Sequence, residues 1–324
     1  MALQDKIDIS VVIPVHNEED NIDELYDRLT KTLKTTNESY EIILVNDGST
    51  DKSEEKLKDI AEKDEHVTAI QLKRNYGQHQ AIFAGFENSQ GDVVITIDAD
   101  LQNPPEEIPN LLKKSAEGYD IVFTIRENRQ DSLFRKFASY IRNIVTAKTT
   151  GAKISDYGSM LVAYRKDIVC AMCASEEGST YIPVLSTRYT SPDKMAEIYV
   201  KHSPRTKGKS NYDFIKLIML EFDLITSFSV WPLRLLMLLG ILVSLCGFSF
   251  GFFLILMRLI KGSTWAASGV FTLFAILFVI VGGQFFALGL IGEYIGRIYS
   301  GIRKRPRFII KNIYTKKETE ETEQ

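Results

Sequence analysis

Short apolar runs alternate with longer amphipathic stretches along the first 230 residues. Apolar, largely β-branched runs cover residues 9–15, 40–45, 67–72 and 93–97, and the last run ends at Asp98. Runs of this length between polar turns are typical of buried parallel strands. Residues 18–34, with an acidic start, and residues 75–88 have the pattern of helices. Strands and helices alternating at these lengths predict an α/β domain with a doubly wound, mostly parallel sheet.

The pattern changes after residue 230. Residues 235–257 and 262–292 contain no charged side chain, and each stretch exceeds the ~20 apolar residues that one membrane crossing needs. We therefore expect two transmembrane helices within residues 231–295. Basic residues such as Arg297 and Arg303 follow the second stretch and outnumber those between the stretches. This asymmetry predicts a cytoplasmic tail and, across two spans, a cytoplasmic N-terminal domain.

The predicted organisation has four parts. Residues 1–210 form a catalytic α/β domain, 231–295 a two-helix transmembrane hairpin, and 296–324 a basic and then acidic tail. Residues 211–230 mix large apolar side chains with sparse charges, which is typical of an amphipathic helix lying along the bilayer. A soluble helix packed on the domain is the alternative.

Composition narrows the functional classes. The chain has 324 residues, 45% hydrophobic and 25% charged, with a net charge of −3, which argues against a general nucleic-acid binder. The polar, mixed-charge start indicates no signal peptide. Cys170 and Cys173 form a C-x-x-C without a second pair or a nearby histidine, so we interpret them as helix residues rather than a zinc or redox site.

Polar clusters follow three of the predicted strands, at Asn17-Glu18, at Asp47, and at Asp98, Asp100 and Gln102. Open α/β sheets bind ligands at the carboxyl ends of their strands, so these side chains are expected at one edge. Oxygen ligands at i, i+2 and i+4 suit Mg²⁺ or Mn²⁺ bridging a diphosphate. The alternative is that Asp98 and Asp100 are ordinary turn residues that bind no metal. Neither a G-x-G-x-x-G fingerprint nor a P-loop motif is present.

Three motifs together resemble the inverting family 2 glycosyltransferases, whose fold is the GT-A sandwich. They are Pro14-x-His16-Asn17-Glu18-Glu19, Asn46-Asp47-Gly48-Ser49 and Asp98-x-Asp100-x-Gln102. The last motif and the C-terminal apolar hairpin resemble the polyprenyl-phosphate branch of that family. Finer motifs, including residues 74–79, 101–109, 128–132 and 292–299, resemble members that transfer 4-deoxy-4-formamido-L-arabinose to undecaprenyl phosphate for lipid A modification. The chain departs from the pattern at Asn46 and Ser159.

The resemblance implies a role for each matching residue. The donor is a UDP-sugar, with Asp47 binding the uracil and Pro14, Asn17 and Glu18 lining the nucleoside pocket beside Asp98. A divalent cation, Mg²⁺ or Mn²⁺, is held on the diphosphate by Asp98, Asp100 and Gln102, with Asp100 the main ligand. Asp156 matches the proposed catalytic base; a sugar-positioning role and a structural turn are the alternatives.

The acceptor implied by the resemblance is undecaprenyl phosphate at the cytoplasmic face of a bacterial inner membrane. Arg126, Arg135 and Ser139 match the phosphate-binding positions, and arginine suits bidentate phosphate contacts. A basic loop contains Arg205 and Lys207. It either closes over the diphosphate or contacts lipid headgroups. The alternative is that its basic residues only reflect their position next to the membrane. The resemblance also implies a homo-oligomer, a tetramer.

Three other functions are alternatives for a chain with these features. A polyprenyl-phosphate glucosyl- or mannosyltransferase shares the branch and differs only in its sugar. A processive polysaccharide synthase shares the fold but needs a Q-x-x-R-W motif, which the sequence lacks. A non-catalytic membrane scaffold or lipid-flipping subunit leaves the acidic strand ends unexplained.

Overall fold

The computed structural model describes residues 6–126, 154–175, 181–200, 231–261, 270–302 and 306–316. The chain divides into two compact units, one comprising the residues before 222 and after 304, and the other residues 222–304.

The first unit contains one eight-stranded sheet within its described residues, in the order β7-β5-β6-β4-β1-β2-β3-β8. The strands are β1 (Ile9–Val15), β2 (Tyr40–Asn46), β3 (Val67–Leu72), β4 (Val93–Thr96), β5 (Ile121–Arg126), β6 (Val162–Arg165), β7 (Met195–Val200) and β8 (Ile310–Tyr314). The helices are α1 (Ile22–Lys34), α2 (Ser53–Lys63), α3 (Gln78–Asn88), α4 (Ile108–Ala116), α5 (Lys166–Ala174) and α6 (Ile182–Ser186). Short 3-10 turns cover Pro105–Glu107 and Pro192–Lys194.

The sheet is mixed rather than uniformly parallel. β1 pairs in parallel with β2 and β4, β2 with β3, and β5 with β7. β6 runs antiparallel to β4 and β5, and β8 runs antiparallel to β3. The predicted α/β class and the parallel centre of the sheet are confirmed, and the antiparallel strands are additions.

Helices cover both faces of the parallel centre. Alternate residues of β1, such as Val11 and Ile13, pack against apolar residues of α1, α2 and α4 in one core cluster. On the opposite face α3 lies so close to β1 that a Cβ at Gly85 would overlap Val12. All seven residues of β1 are buried, which explains why its sequence is a continuous apolar run.

β2 ends one residue later than expected, at Asn46, and three further element boundaries differ from the expectation. α1 begins at Ile22 rather than residue 18, and α3 begins at Gln78 rather than residue 75. β4 ends at Thr96, two residues before Asp98. After the backbone N–H of Ile97 bonds the Val12 carbonyl (3.2 Å), the chain leaves the sheet. The polar residues within 18–21, 75–77 and 98–102 therefore lie in loops rather than in helices or strands.

The C-terminal segment returns to the sheet, which the sequence pattern did not indicate. β8 covers the outer edge of β3, and the Lys73 backbone N–H donates to the Ile309 carbonyl (2.9 Å). The Arg307 guanidinium lies 4.3 Å from the centre of the Phe83 ring and donates to the carbonyls of Met172 and Ser175. Residues 307–314 are therefore part of the first unit.

The second unit contains two long helices, α7 (Trp231–Lys261) and α8 (Val270–Ile302). No helix in the ranges that the structure describes is long and apolar enough to cross a membrane, so the transmembrane hairpin predicted from the sequence is not shown. Residues 211–230, predicted as an interfacial helix, lie outside the described ranges.

Candidate active site

Polar loops follow the adjacent strands β1, β2 and β4 at their carboxyl ends. β1 pairs in parallel with both neighbours, so residues 16–21, 46–52 and 97–104 leave the same edge of the sheet. This is the edge at which open α/β sheets bind ligands. Pro14 is buried within β1, paired with Val45, and thus lies in the strand rather than in the loop.

The first two loops bind each other through side chain–backbone hydrogen bonds. The Asn17 side-chain oxygen accepts from the Thr50 N–H (2.8 Å), and the Asn17 N–H donates to the Ser49 hydroxyl (3.0 Å). Asn17 has φ of 55°, a left-handed conformation for which asparagine is enriched. Asn17 therefore fixes the shape of this edge.

Glu18 and Asp51 extend the same contact. The Glu18 N–H donates to the Ser53 hydroxyl (3.2 Å), and the Glu18 carboxylate accepts from the Asn21 amide (2.6 Å). Burial works against ionisation of Asp51, but hydrogen bonds from Ser53 and Glu19 outweigh it and lower the pKa of this carboxyl. Asp51 consequently stays an ionised acceptor at neutral pH.

Asp47 is buried and faces the loop that follows β3. Its two carboxylate oxygens accept from the backbone N–H groups of Tyr76 (2.7 Å) and Gly77 (2.8 Å). Gly48 has φ of 63°, and a Cβ there would lie 2.5 Å from the Arg74 carbonyl carbon. The Asp47-Gly48 pair thus holds residues 74–77 against the end of β2, a contact that sequence reasoning did not anticipate.

His16 lies beside this loop and is exposed. Its Nδ1 is 2.9 Å from the Asp47 carbonyl oxygen, and its Nε2 is 3.1 Å from the Asn75 side-chain nitrogen. A carbonyl oxygen only accepts, so we infer the tautomer with hydrogen on Nδ1, which leaves Nε2 to accept from Asn75. His16 and Asn75 therefore form a polar contact across two loops at the site edge.

Asp98, Asp100 and Gln102 lie on one tight turn after β4. The Gln102 backbone N–H donates to Asp100 Oδ1 (3.1 Å), and Leu101 between them has φ of 62°. The Gln78 side-chain amide donates to Asp98 Oδ1 (2.5 Å). Across the described residues, no three His, Cys, Asp or Glu side chains form a group able to hold a metal. The acidic donors of this turn are the two aspartates.

Arg126 and Asp156 form a bidentate ion pair at the end of β5. Arg126 Nε donates to Asp156 Oδ2 (2.8 Å) and Nη2 to Oδ1 (2.9 Å). The Gly158 N–H also donates to Oδ1 (3.0 Å), and the Asp156 side chain is only 7% exposed. The structure thus joins two residues that the sequence assigned to separate roles.

A chain of aromatic contacts connects this pair to the start of α3. The Tyr181 hydroxyl donates to the Tyr157 carbonyl (2.6 Å), and its ring packs edge-on against His79 at 5.0 Å. Within the described part of the chain, His79 Nδ1 is buried and has no hydrogen-bond partner, and burial lowers the pKa of the imidazole to about 4. His79 is therefore neutral at physiological pH.

Four predicted acceptor residues lie outside the described ranges, and their positions stay predictions. They are Arg135, Ser139, Arg205 and Lys207.

The family model for glycosyl transferase family 2 matches residues 10–172, which include every strand-end loop described above. The chain belongs to glycosyl transferase family 2. It is accordingly an enzyme, a glycosyltransferase, and the resemblance inferred from its motifs is confirmed.

Curated relatives of this glycosyltransferase match it over nearly its whole length. It is 52% identical over 315 residues to undecaprenyl-phosphate 4-deoxy-4-formamido-L-arabinose transferase of Proteus mirabilis (strain HI4320), covering 97% of this chain and 96% of that protein. It is 50% identical over 317 residues to the transferase of the same name from Klebsiella pneumoniae (strain 342), covering 98% and 96%.

Solved structures agree on the fold. Glucosyl-3-phosphoglycerate synthase from Mycobacterium tuberculosis, in complex with Mn²⁺, UDP and glucosyl-3-phosphoglycerate, aligns with a TM-score of 0.51 at 18% identity, covering 68% of this chain and 78% of that one. The same synthase with Mn²⁺ and UDP-glucose gives 0.51 at 19% identity, covering 68% and 77%. At this identity the likeness supports the GT-A fold alone.

Besides the contact of Asp47 with loop 74–77 and the Arg126–Asp156 ion pair, sequence reasoning missed three more contacts of this family 2 glycosyltransferase. Gln78 reaches Asp98, Tyr181 reaches the carbonyl next to Asp156, and Arg307 packs on Phe83. Gln78 lay inside a motif that was recognised as a whole, but its partner is 20 residues away. Tyr181 and Arg307 carried no signal, because each acts through a contact that only the folded chain creates.

Proposed function

We propose that this glycosyltransferase moves 4-deoxy-4-formamido-L-arabinose from a UDP-sugar to undecaprenyl phosphate, with inversion at the anomeric carbon. The observation that carries the proposal is 50–52% identity over almost the whole chain to relatives that bear this name. The alignments cover the C-terminal helices as well as the first unit, so the similarity to these relatives extends over both units.

The donor diphosphate is proposed to lie at the turn after β4. Asp98 and Asp100 supply two carboxylates and Gln102 an amide, a hard-oxygen set that suits Mg²⁺ or Mn²⁺. Such an ion, when bound, offsets the charge of the leaving diphosphate. The synthase of similar fold was crystallised with Mn²⁺ and UDP-glucose. Because this turn has only two aspartates, the remaining metal ligands are expected from the diphosphate of the UDP-sugar and from water.

The nucleoside is proposed to bind over the loops joined by Asn17, Asp47 and Glu18. The Asp47 carboxylate already accepts two backbone hydrogen bonds, and a carboxylate has about four lone-pair positions. Asp47 can thus hold loop 74–77 in place and accept a further hydrogen bond from the uracil. The exposed His16 and Asn75 line the same edge.

The acceptor phosphate is proposed to bind near Arg126. A phosphate monoester has a second pKa near ~6, so it is largely dianionic at pH 7. Its oxygen attacks the anomeric carbon while the bond from that carbon to the diphosphate breaks, and the electron pair leaves with UDP. This balance needs no proton transfer. Arg135, Ser139, Arg205 and Lys207 are further proposed contacts.

The second unit is proposed to bind the inner-membrane bilayer, since the acceptor is a lipid. Large apolar side chains of α7 and α8 are exposed, among them Leu245 (63%), Phe252 (68%), Leu259 (79%) and Phe285 (70%). Surfaces of this kind mark contact with lipid or with another protein. A cytoplasmic catalytic unit and a homotetramer are also proposed, on the resemblance.

The test incubates the purified full-length protein with undecaprenyl phosphate and a panel of UDP-sugars, and identifies the lipid product by mass. We expect a formamido-arabinosyl lipid, with the reaction lost on chelation and restored by Mg²⁺ or Mn²⁺. Asp100→Asn should abolish transfer while the unfolding temperature stays near that of the wild type. Efficient use of UDP-glucose with neglect of the arabinose donor would contradict the sugar assignment and support the glucosyltransferase alternative.

A further inference from the structure

The most constrained side-chain arrangement at the site is the fork between Arg126 and Asp156. A guanidinium has five N–H donors in a fixed plane, and this fork uses one on Nε and one on Nη2. Among the contacts of the described residues, Asp156 accepts two hydrogen bonds from Arg126 and one from the Gly158 backbone. Both partners are therefore fixed in orientation, and the carboxylate is satisfied on both oxygens.

Gly158 is adapted to this fork. A Cβ on residue 158 would lie 2.7 Å from Arg126 Nη2 and 3.2 Å from Asp156 Oδ1. A real side chain there would push the guanidinium out of the plane of the carboxylate. The absence of a Cβ at Gly158 thus allows the backbone N–H and the guanidinium to bind the same oxygen.

We infer that Asp156 is a positioning residue for Arg126, which it orients toward the acceptor phosphate, rather than the base of the reaction. This inference rests on the proposed function. Both Asp156 oxygens accept from the Arg126 guanidinium, and a carboxyl that takes up a proton is a weaker acceptor for these charge-assisted hydrogen bonds. Acting as a base would therefore weaken the fork, whereas holding Arg126 keeps it intact. The dianionic phosphate needs no base, but it does need N–H donors that are held in a fixed orientation toward its oxygens.

The ion pair forms before the acceptor phosphate binds, and this favours phosphate binding. Asp156 and Arg126 offset each other's charge in a setting where the carboxylate is 7% exposed. A guanidinium that is already oriented loses less side-chain freedom when the phosphate arrives, which favours binding.

The test compares Asp156→Asn with wild type in the full-length enzyme. We expect KM for undecaprenyl phosphate to rise about tenfold or more, tenfold being about 1.4 kcal/mol, with KM for the UDP-sugar within about twofold. Hydrolysis of the UDP-sugar without lipid should be unchanged, since Arg126 serves the acceptor only. The acid limb of the pH profile should also stay, because it belongs to the lipid phosphate.

Arg28 and Glu106 supply a matched control. They form a fork of the same geometry, Nε to Oε1 at 2.9 Å and Nη2 to Oε2 at 2.8 Å, on the surface between α1 and the turn before α4. Glu106→Gln should change neither KM. If Glu106→Gln and Asp156→Asn raise KM for the lipid equally, the effect is a general loss of stability and the inference is wrong.

Two further variants distinguish a positioning role of Asp156 from a role as the base. Arg126→Lys cannot form the fork and should raise KM for the lipid, while the double variant with Asp156→Asn should be no worse than Arg126→Lys alone. If Asp156→Asn instead lowers kcat, leaves KM for the lipid unchanged and abolishes lipid-free hydrolysis, Asp156 is the base. Failure of the wild type to form any lipid product would overturn the proposed function itself, separately from this inference.

Discussion

At the scale of single residues, the loops at the site edge are held together by side chains that accept hydrogen bonds from the backbone of a neighbouring loop. Asp47 holds Tyr76 and Gly77, and Asn17 holds Thr50. Hydrogen bonds with a charged partner contribute about 1.5–3 kcal/mol each. The residues that family resemblance assigns to nucleotide binding are thus also the residues that shape the loops.

His79 gives a prediction about pH. Burial lowers the pKa of this imidazole to about 4, whereas an unfolded histidine has a pKa near ~6.5. Above pH 6.5 both states are neutral and the group contributes nothing. As the pH falls below 6.5 the unfolded state binds a proton that the folded state does not, so stability is lost, by about 2 kcal/mol at pH 5.

His79→Phe keeps a ring against Tyr181 and removes the titrating group. Its unfolding temperature should therefore fall less between pH 7.5 and pH 5 than that of the wild type, as measured by thermal unfolding of the detergent-solubilised full chain. Tyr181→Phe is the control, because it keeps a ring beside the His79 imidazole and should leave the wild-type slope in place. An equal slope in the His79 variant would show that this ring is not the sensitive group.

At the scale of elements, apolar runs located the four central strands because those strands are buried on both faces. β1 and β3 have the predicted bounds, Ile9–Val15 and Val67–Leu72. β8 was not predictable, since two of its five residues are exposed and its partner β3 lies about 240 residues earlier. Likewise, Asp156 was recognised as a site residue, but its fork with Arg126 depends on pairing across 30 positions.

The role of β8 can be tested by shortening the chain. Ending it after Phe308 removes β8 and the Ile309 carbonyl that binds the Lys73 N–H, which is the residue just before loop 74–77. We expect a lower unfolding temperature and a severalfold higher KM for the UDP-sugar, because that loop loses one of its supports.

Ending the chain after Lys316 is the matched control. It removes only residues 317–324 and keeps β8, so both quantities should match the full chain. If the two truncations behave alike, or if the shorter one leaves KM for the donor unchanged, β8 does not support the loop.

At the scale of the whole molecule, the sequence predicted an α/β domain followed by a strongly apolar segment. The chain divides into two compact units, with boundaries at residues 222 and 304. We expect the protein to stay with membranes after alkaline carbonate extraction, because of the exposed apolar side chains of α7 and α8. A cysteine introduced by Ser263→Cys should be labelled from outside intact cells if the helices form the predicted hairpin. Release by carbonate would contradict the membrane proposal.

The return of β8 to the catalytic sheet has a consequence for biosynthesis. The helical unit is an insertion between the seventh and eighth strands, so the ribosome completes both long helices before it makes the strand that covers β3. Until residue 314 has emerged, the nascent chain carries an open sheet edge, a template for aggregation. A chain interrupted within the helices consequently never closes its sheet, and only a fully translated chain combines a finished catalytic unit with its helical unit.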